Sequence, residues 1–169
     1  MEGITHLNEI FEKELILELE AKSKYVSLKE GDVIMHIGQT VRAVPFILSG
    51  VVKVSRIDED GKELLLYYIH STETCAMSFT CCMQQRVSEV EAVAEEDVEL
   101  LMIPVYVMDE WMTKYTTWKS FVMRAIINRF DELLKTIDQI AFQKLDERLI
   151  HYLKEKSKVT GSSLINLSH

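Results

Sequence analysis

No stretch of this 169-residue sequence is long and apolar enough to cross a bilayer. The longest apolar runs, Glu63 to Ile69 and Val98 to Met108, are interrupted or too short for a hydrocarbon core of roughly 30 Å. A secretory signal is missing too, because Met1-Glu2-Gly3 opens an acidic amphipathic segment where such a signal needs a basic start and an apolar run. The expected location is the cytoplasm. Basic residues are in the minority: 19 Lys and Arg against 27 Asp and Glu leave a net charge of −8. On average this surface repels phosphate backbones and lacks the basic footprint of a nucleic-acid binder. Cysteine is sparse and odd in number, with Cys75 alone and Cys81 beside Cys82. Adjacent cysteines rarely bridge, because the local geometry is strained, so reduced thiols are expected.

Catalytic signatures are equally absent. A metal-dependent jelly-roll enzyme needs clustered His and carboxylate ligands on neighbouring strands, whereas His6, His36, His70, His151 and His169 are scattered with no His-x-His pair. No G-x-S-x-G, phosphate loop or Cys-x-x-Cys occurs. Neither enzyme activity nor a metal or other resident cofactor is expected.

The composition, 47% hydrophobic and 27% charged, is that of a globular chain able to bury a core. From Asn8 to Lys22, Ile10, Phe11, Leu15, Leu17 and Leu19 recur at roughly helical spacing, which predicts an amphipathic entry helix. From Tyr25 to about Pro104 the pattern changes to short β-rich runs: Tyr25 to Leu28, Val33 to His36, Phe46 to Ile57, Leu64 to Ile69, Val87 to Ala94 and Val98 to Ile103. Gly31, Gly38, Gly50 and Gly61 punctuate them, and Glu59-Asp60-Gly61-Lys62 reads as a hairpin turn. Many short strands at regular spacing imply a sandwich or barrel.

After Met108 the helical period returns, and about Thr117 to Gln143 holds neither Gly nor Pro. One helix of about 40 Å is expected there, at about 1.5 Å per residue. Met123, Ile126, Phe130, Leu133, Ile137 and Ile140 follow alternating steps of three and four, the seam through which two copies zip into a coiled-coil homodimer. The other reading is a helix packed within one subunit. A second row, Ile127, Leu134 and Ala141, widens the apolar face and is expected to rest on the chain's own barrel. A hinge is expected near Ala141 to Asp146. Asp146 then caps a shorter helix carrying Leu149, Ile150 and Leu153 on one face and Lys154, Lys156 and Lys158 near its end. Thr160 to Ser163 reads as a loop, Leu164 to Leu167 as a short strand, and Ser168 as the start of another helix.

Gly31-Asp32-Val33-Ile34, Gly38 and Phe46-Ile47-Leu48-Ser49-Gly50-Val51-Val52-Lys53-Val54 resemble the glycine-spaced opening of the cyclic-nucleotide-binding jelly roll. Ala92 to Leu100, the long helix and Asp146-Glu147-Arg148-Leu149 are similar as well. The order of elements resembles the Crp/Fnr family of bacterial transcription regulators, over nearly the whole chain. The resemblance implies a mainly β fold with helices (α+β): a jelly-roll barrel with an N-terminal helix and a long C-terminal dimerisation helix. It divides the chain into a sensor domain over 1–116, a dimerisation helix over 117–145, and at 146–169 the start of a DNA-binding domain. In that family the last strand leads into a helix-turn-helix, and Ile165-Asn166-Leu167-Ser168-His169 resembles its threshold, so a truncated chain is expected.

In family members that bind cyclic AMP, a Gly-Glu pair opens a short helix whose N–H groups and dipole hold the cyclic phosphate. The Glu takes the ribose hydroxyl, an Arg pairs with the phosphate, and a Ser or Thr follows that Arg. Counted without gaps, the Arg position falls on Arg86 and the Gly-Glu positions on Cys75 and Ala76. Val87 follows the Arg, Ser88 stands one step late, and the polar pair that reads the purine falls on Leu133 and Leu134. Each ligand group left unpaired costs about 1–3 kcal/mol, so three losses remove several decades of affinity. Cyclic AMP is therefore not the expected ligand.

The candidate ligand site is Cys75, Ala76, Met77, Ser78, Arg86, Val87, Ser88, Leu133 and Leu134, greasy with one anion anchor, as an amphipathic acid would require. A vestigial pocket is the other reading, with Arg86 a surface residue and the leucine pair plain core. Three sulfurs near one another could also sense oxidants or metal. Small apolar side chains in or near a buried loop is preferred, since the family's iron–sulfur members use N-terminal cysteines and Met1 to Lys24 holds none. The expected function is the effector-sensing, dimerising part of a DNA-binding transcription regulator. The alternative is a ligand- or partner-binding dimer module of the same fold that does not bind DNA.

Overall fold

The β-rich runs between Lys24 and Pro104 fold as two antiparallel sheets flanked by helices. In this computed structural model residues 7–83, 86–142 and 145–160 are described, without side chains at 83, 139–142, 145–148, 151, 159 and 160. In order they form α1 (Lys13–Lys22), β1 (Lys24–Leu28), β2 (Val33–Met35), β3 (Ala43–Ser49), β4 (Val52–Ile57), β5 (Glu63–Ile69), α2 (Ala76–Met83), β6 (Glu91–Ala94), β7 (Val98–Pro104), α3 (Val105–Lys114), α4 (Thr116–Phe142) and α5 (Leu145–Thr160). One sheet runs β1-β7-β3 and the other β2-β6-β4-β5. This is the jelly-roll architecture with flanking helices that the family resemblance implies.

The run Phe46 to Ile57 is two strands, because the chain changes sheets at Gly50. A glycine is required there. Its φ is +87°, and a Cβ would lie 2.4 Å from the Asp97 carbonyl oxygen. The run Val87 to Ala94 shrinks to β6, with Val87 making only an isolated bridge to Thr40. The β4–β5 hairpin turns as expected: Asp58 N–H donates to the Lys62 carbonyl at 3.0 Å, and Gly61 takes a φ of +79°. The entry helix starts at Lys13, after a short 3₁₀ turn at residues 7–9.

β3 and β7 are apolar along most of their length because both faces of their sheet are covered. On the helical side Phe46 meets Phe11 at 5.8 Å and Phe121 at 5.5 Å. Trp118 packs edge-on against Trp111 at 5.2 Å and Phe79 at 6.1 Å. Truncating one such buried ring to Ala costs about 3–5 kcal/mol, so this cluster locks the turn before α1, α2, α3 and the first turns of α4 onto the barrel.

Glu18 adds a polar clasp. It accepts from Trp111 Nε1 at 2.7 Å, Tyr115 hydroxyl at 2.8 Å and Lys22 Nζ at 2.6 Å, and from Lys114 Nζ.

The chain divides into two units, Met1–Ile126 and Ile127–His169, with the boundary inside α4. In the first, Trp118, Phe121 and Val122 are buried and Ile126 packs half-buried against the core. In the second, Ile127, Phe130, Leu133, Leu134 and Ile137 are all exposed, and the side chain of Ala141 lies outside the described residues. The helix expected from Asp146 starts one residue earlier, at Leu145, and exposes Leu149 and Ile150. Part of the expected hinge, Gln143 and Lys144, lies outside the described residues, as do Leu164 to Leu167 and Ser168.

Candidate functional site

Tyr67 and Met35 are the inward ends of one row across the four-stranded sheet. The register pairs Met35 with Ala92, Ala92 with Val54, and Val54 with Tyr67. Strand alternation and the burial of Val54, Ala92 and Met35 turn this row into the barrel. α2 lies against both ends of it. The Tyr67 hydroxyl is 3.6 Å from Cys75 Sγ, and Ser78 Oγ donates to Met35 Sδ at 3.8 Å.

The turn that delivers the chain to α2 is laced to β3. Thr72 N–H donates to the Ile47 carbonyl at 2.8 Å, Ile47 N–H to the Glu73 carbonyl at 2.9 Å, and Thr74 Oγ to the Pro45 carbonyl at 2.7 Å. Thr72 adopts a φ of +66°, a left-handed conformation that a β-branched residue takes only under constraint.

The segment Ala76–Met83 is an eight-residue helix that carries Cys81 and Cys82, with Cys75 just before it, and all three thiols are free and buried. Cys81 Sγ donates to the Val87 carbonyl and Cys82 Sγ to the Val41 carbonyl, each at 3.7 Å. Burial pushes the Cys81 thiol up, and the Cys82 thiol up to about 11. Such thiols are poor nucleophiles at neutral pH. Among the described residues no group of three or more His, Cys, Asp or Glu could hold a metal ion.

Cys75, Ala76 and Ser78 come together, buried, at the start of α2, with Met77 half-buried beside them. The first turn carries no acidic side chain. Ser88 is buried but its hydroxyl is spent locally, donating to the Val90 carbonyl at 2.7 Å and accepting from the Val90 N–H at 3.2 Å. Arg86 and Val87 are exposed, the Arg86 N–H held by the Cys81 carbonyl at 2.9 Å. Leu133 and Leu134 lie on α4 in the second unit, both exposed.

Along the expected dimer seam, Met123, Phe130, Leu133 and Ile137 are 45–61% exposed, whereas Ile126 packs against the core. The side chain of Ile140 lies outside the described residues. Sequence reasoning missed Tyr67 and Met35. The signal was available for Tyr67, two residues before the buried Ile69 on the same strand, and so on the same face.

Comparison with known proteins agrees with this fold. The family model described as the cyclic nucleotide-binding domain matches residues 25–115. The global nitrogen regulator of Synechocystis is 23% identical over 116 residues, 69% of this chain and 52% of that protein. That of Synechococcus elongatus is 21% identical over 150 residues, 89% of this chain and 65% of that protein. The chain thus spans about half to two thirds of these curated relatives. Among solved structures, a Crp/Fnr-family transcriptional regulator from Eubacterium rectale superposes with a TM-score of 0.82 at 21% identity, over 96% of this chain and 76% of that one. The c-di-GMP-responsive global regulator CLP of Xanthomonas campestris gives 0.72 at 18% identity, over 90% and 74%. Among the described residues no helix is long and apolar enough to cross a membrane.

Proposed function

Because the chain belongs to the cyclic nucleotide-binding domain family, we propose that it is the effector-sensing, dimerising part of a bacterial DNA-binding transcription regulator, and that its effector is not cyclic AMP. Residues 1–116 sense, 117–145 dimerise, and 146–169 begin the segment that reaches DNA. The observation that carries this reading is the exposed apolar stripe of α4. A soluble chain does not leave Phe130, Leu133, Leu134 and Ile137 in water over successive turns without a partner surface to cover them. A second copy of the same helix is the simplest cover, since steps of three and four are self-complementary.

The effector site is the start of α2, Cys75 to Ser78, with Arg86, Val87 and Ser88 following it in sequence. Cyclic AMP is disfavoured because the first turn of α2 has no acid for a ribose hydroxyl and the Ser88 hydroxyl is already bonded. Arg86 is the one cation of this set and suits an amphipathic acid. Control of DNA binding then requires that the effector prefer one of two dimer arrangements, because a ligand shifts an equilibrium only by its differential affinity.

Sedimentation equilibrium of the purified chain tests the core of the proposal. A dimer at micromolar concentration is expected. A monomer throughout that range would remove the basis for the dimeric regulator.

A further inference from the structure

A groove of about 310 Å³ lies between the turn that precedes α1 and the first turns of α4, walled by Glu9, Ile10, Thr116, Thr117, Ser120 and Arg124. This is at the lower end of the range for small-molecule sites, about 300–1,000 Å³. Thr116, Ser120 and Arg124 follow one another at four-residue spacing, so they form a polar stripe on a helix whose other side buries Trp118, Phe121 and Val122.

Both walls are held in place. Leu7 and Phe11 are buried on either side of the turn, the Ile10 and Phe11 N–H groups donate to the Leu7 carbonyl at 3.0 and 2.8 Å, and Phe11 stacks edge-on with Phe121 at 5.3 Å.

The amino end of α4 already has its anion, since the Thr117 hydroxyl donates to the Glu12 carboxylate and the Thr117 N–H reaches it at 3.4 Å. The groove is thus more than an open helix end. One carboxylate, Glu9, and one guanidinium, Arg124, line it, and among the described residues neither side chain has a hydrogen-bond or ion-pair partner. Ile10 supplies an apolar surface in the same lining.

We propose that this groove binds a small zwitterion, a free α-amino acid with an apolar side chain. The ammonium is received by Glu9, the carboxylate by the Arg124 fork with the Ser120 hydroxyl beside it, and the side chain lies on Ile10. Both charges are solvent-exposed and screened by salt, so the affinity is modest, in the millimolar range, and falls as ionic strength rises. The site is separate from the start of α2 and does not depend on the effector proposed above.

The test is titration of the ¹⁵N-labelled full chain with L-leucine, with isovalerate and isoamylamine as probes lacking one charge each. Saturable amide shifts confined to residues 7–12 and 116–124 are expected with leucine. Glu9→Gln and Arg124→Gln should each weaken binding by about tenfold. Both residues are exposed, so the variants should keep the wild-type melting temperature. The absence of saturable shifts, undiminished binding by either variant, or equal binding of isovalerate would overturn the proposal, the last outcome indicating an anion site only.

Discussion

The hydroxyl of Tyr67, projecting inward from β5, lies 3.6 Å from the sulfur of Cys75 at the foot of α2. With Ser78 on Met35, this contact means that α2 is seated on the four-stranded sheet by the chain's own side chains. A ligand entering there must displace them. Isothermal calorimetry with cyclic AMP at millimolar concentration is therefore expected to give no saturable heat, and micromolar binding would sink the reading of Cys75 and Ala76.

The exposed α4 stripe makes a second prediction. Phe130→Asp together with Leu133→Asp should turn a dimer into a monomer in sedimentation. Losing a buried Phe or Leu anchor costs about 2–5 kcal/mol, which is roughly one and a half to three and a half decades in the dimer constant per site. Neither residue belongs to the barrel unit, so far-UV circular dichroism of the variant should stay native. An undiminished dimer would place the interface elsewhere.

Thiol reactivity separates structural from sensing cysteines. Cys75, Cys81 and Cys82 are all at most 6% exposed, and burial raises the Cys81 and Cys82 thiols. Iodoacetamide at pH 7.5 should modify the native protein far more slowly than the same chain in denaturant. Rapid native modification of one of the three, located by peptide mass spectrometry, would revive a redox role.

Acid stability should depend on Glu18. Donation by Lys114, then Lys22, Trp111 and Tyr115, holds its carboxyl far below the ordinary value of 4.5. A depressed native pKa means that the stabilisation is complete above 4.5 and is lost progressively as pH falls below it. Thermal melts should thus be flat from pH 7 to about 5.5 and decline beneath that, with a shallower decline in Glu18→Gln. An identical acid slope in the variant would assign the loss to other carboxylates, such as Asp97, which Lys29 also holds low.

Most of the secondary structure was legible because its causes are local. The short apolar run Val98 to Ile103, Gly61 in the hairpin and the Gly- and Pro-free span of α4 each act within a few residues of chain. The break at Gly50 was not legible as a change of sheet, because its cause is the Asp97 carbonyl, which lies 47 positions away in sequence. The chain from Cys75 to Met83 was not legible as a helix, because its mixed apolar and hydroxyl residues carry no clear helical period. What makes it a helix is burial against Tyr67, Met35 and Trp118.

For the candidate site the division is similar. Sequence alone determined that a jelly roll precedes a long helix, that no Gly-Glu pair stands before Arg86, and that α4 repeats apolar residues at coiled-coil spacing. These depend on residue identity and order. Only the tertiary structure decided that the Ser88 hydroxyl is consumed by Val90, that Arg86 faces solvent, and that Ile126 belongs to the core whereas Phe130, one turn later, does not. Those outcomes depend on which surfaces meet. A side chain's partners are set by packing between segments distant in sequence, and periodicity does not encode them.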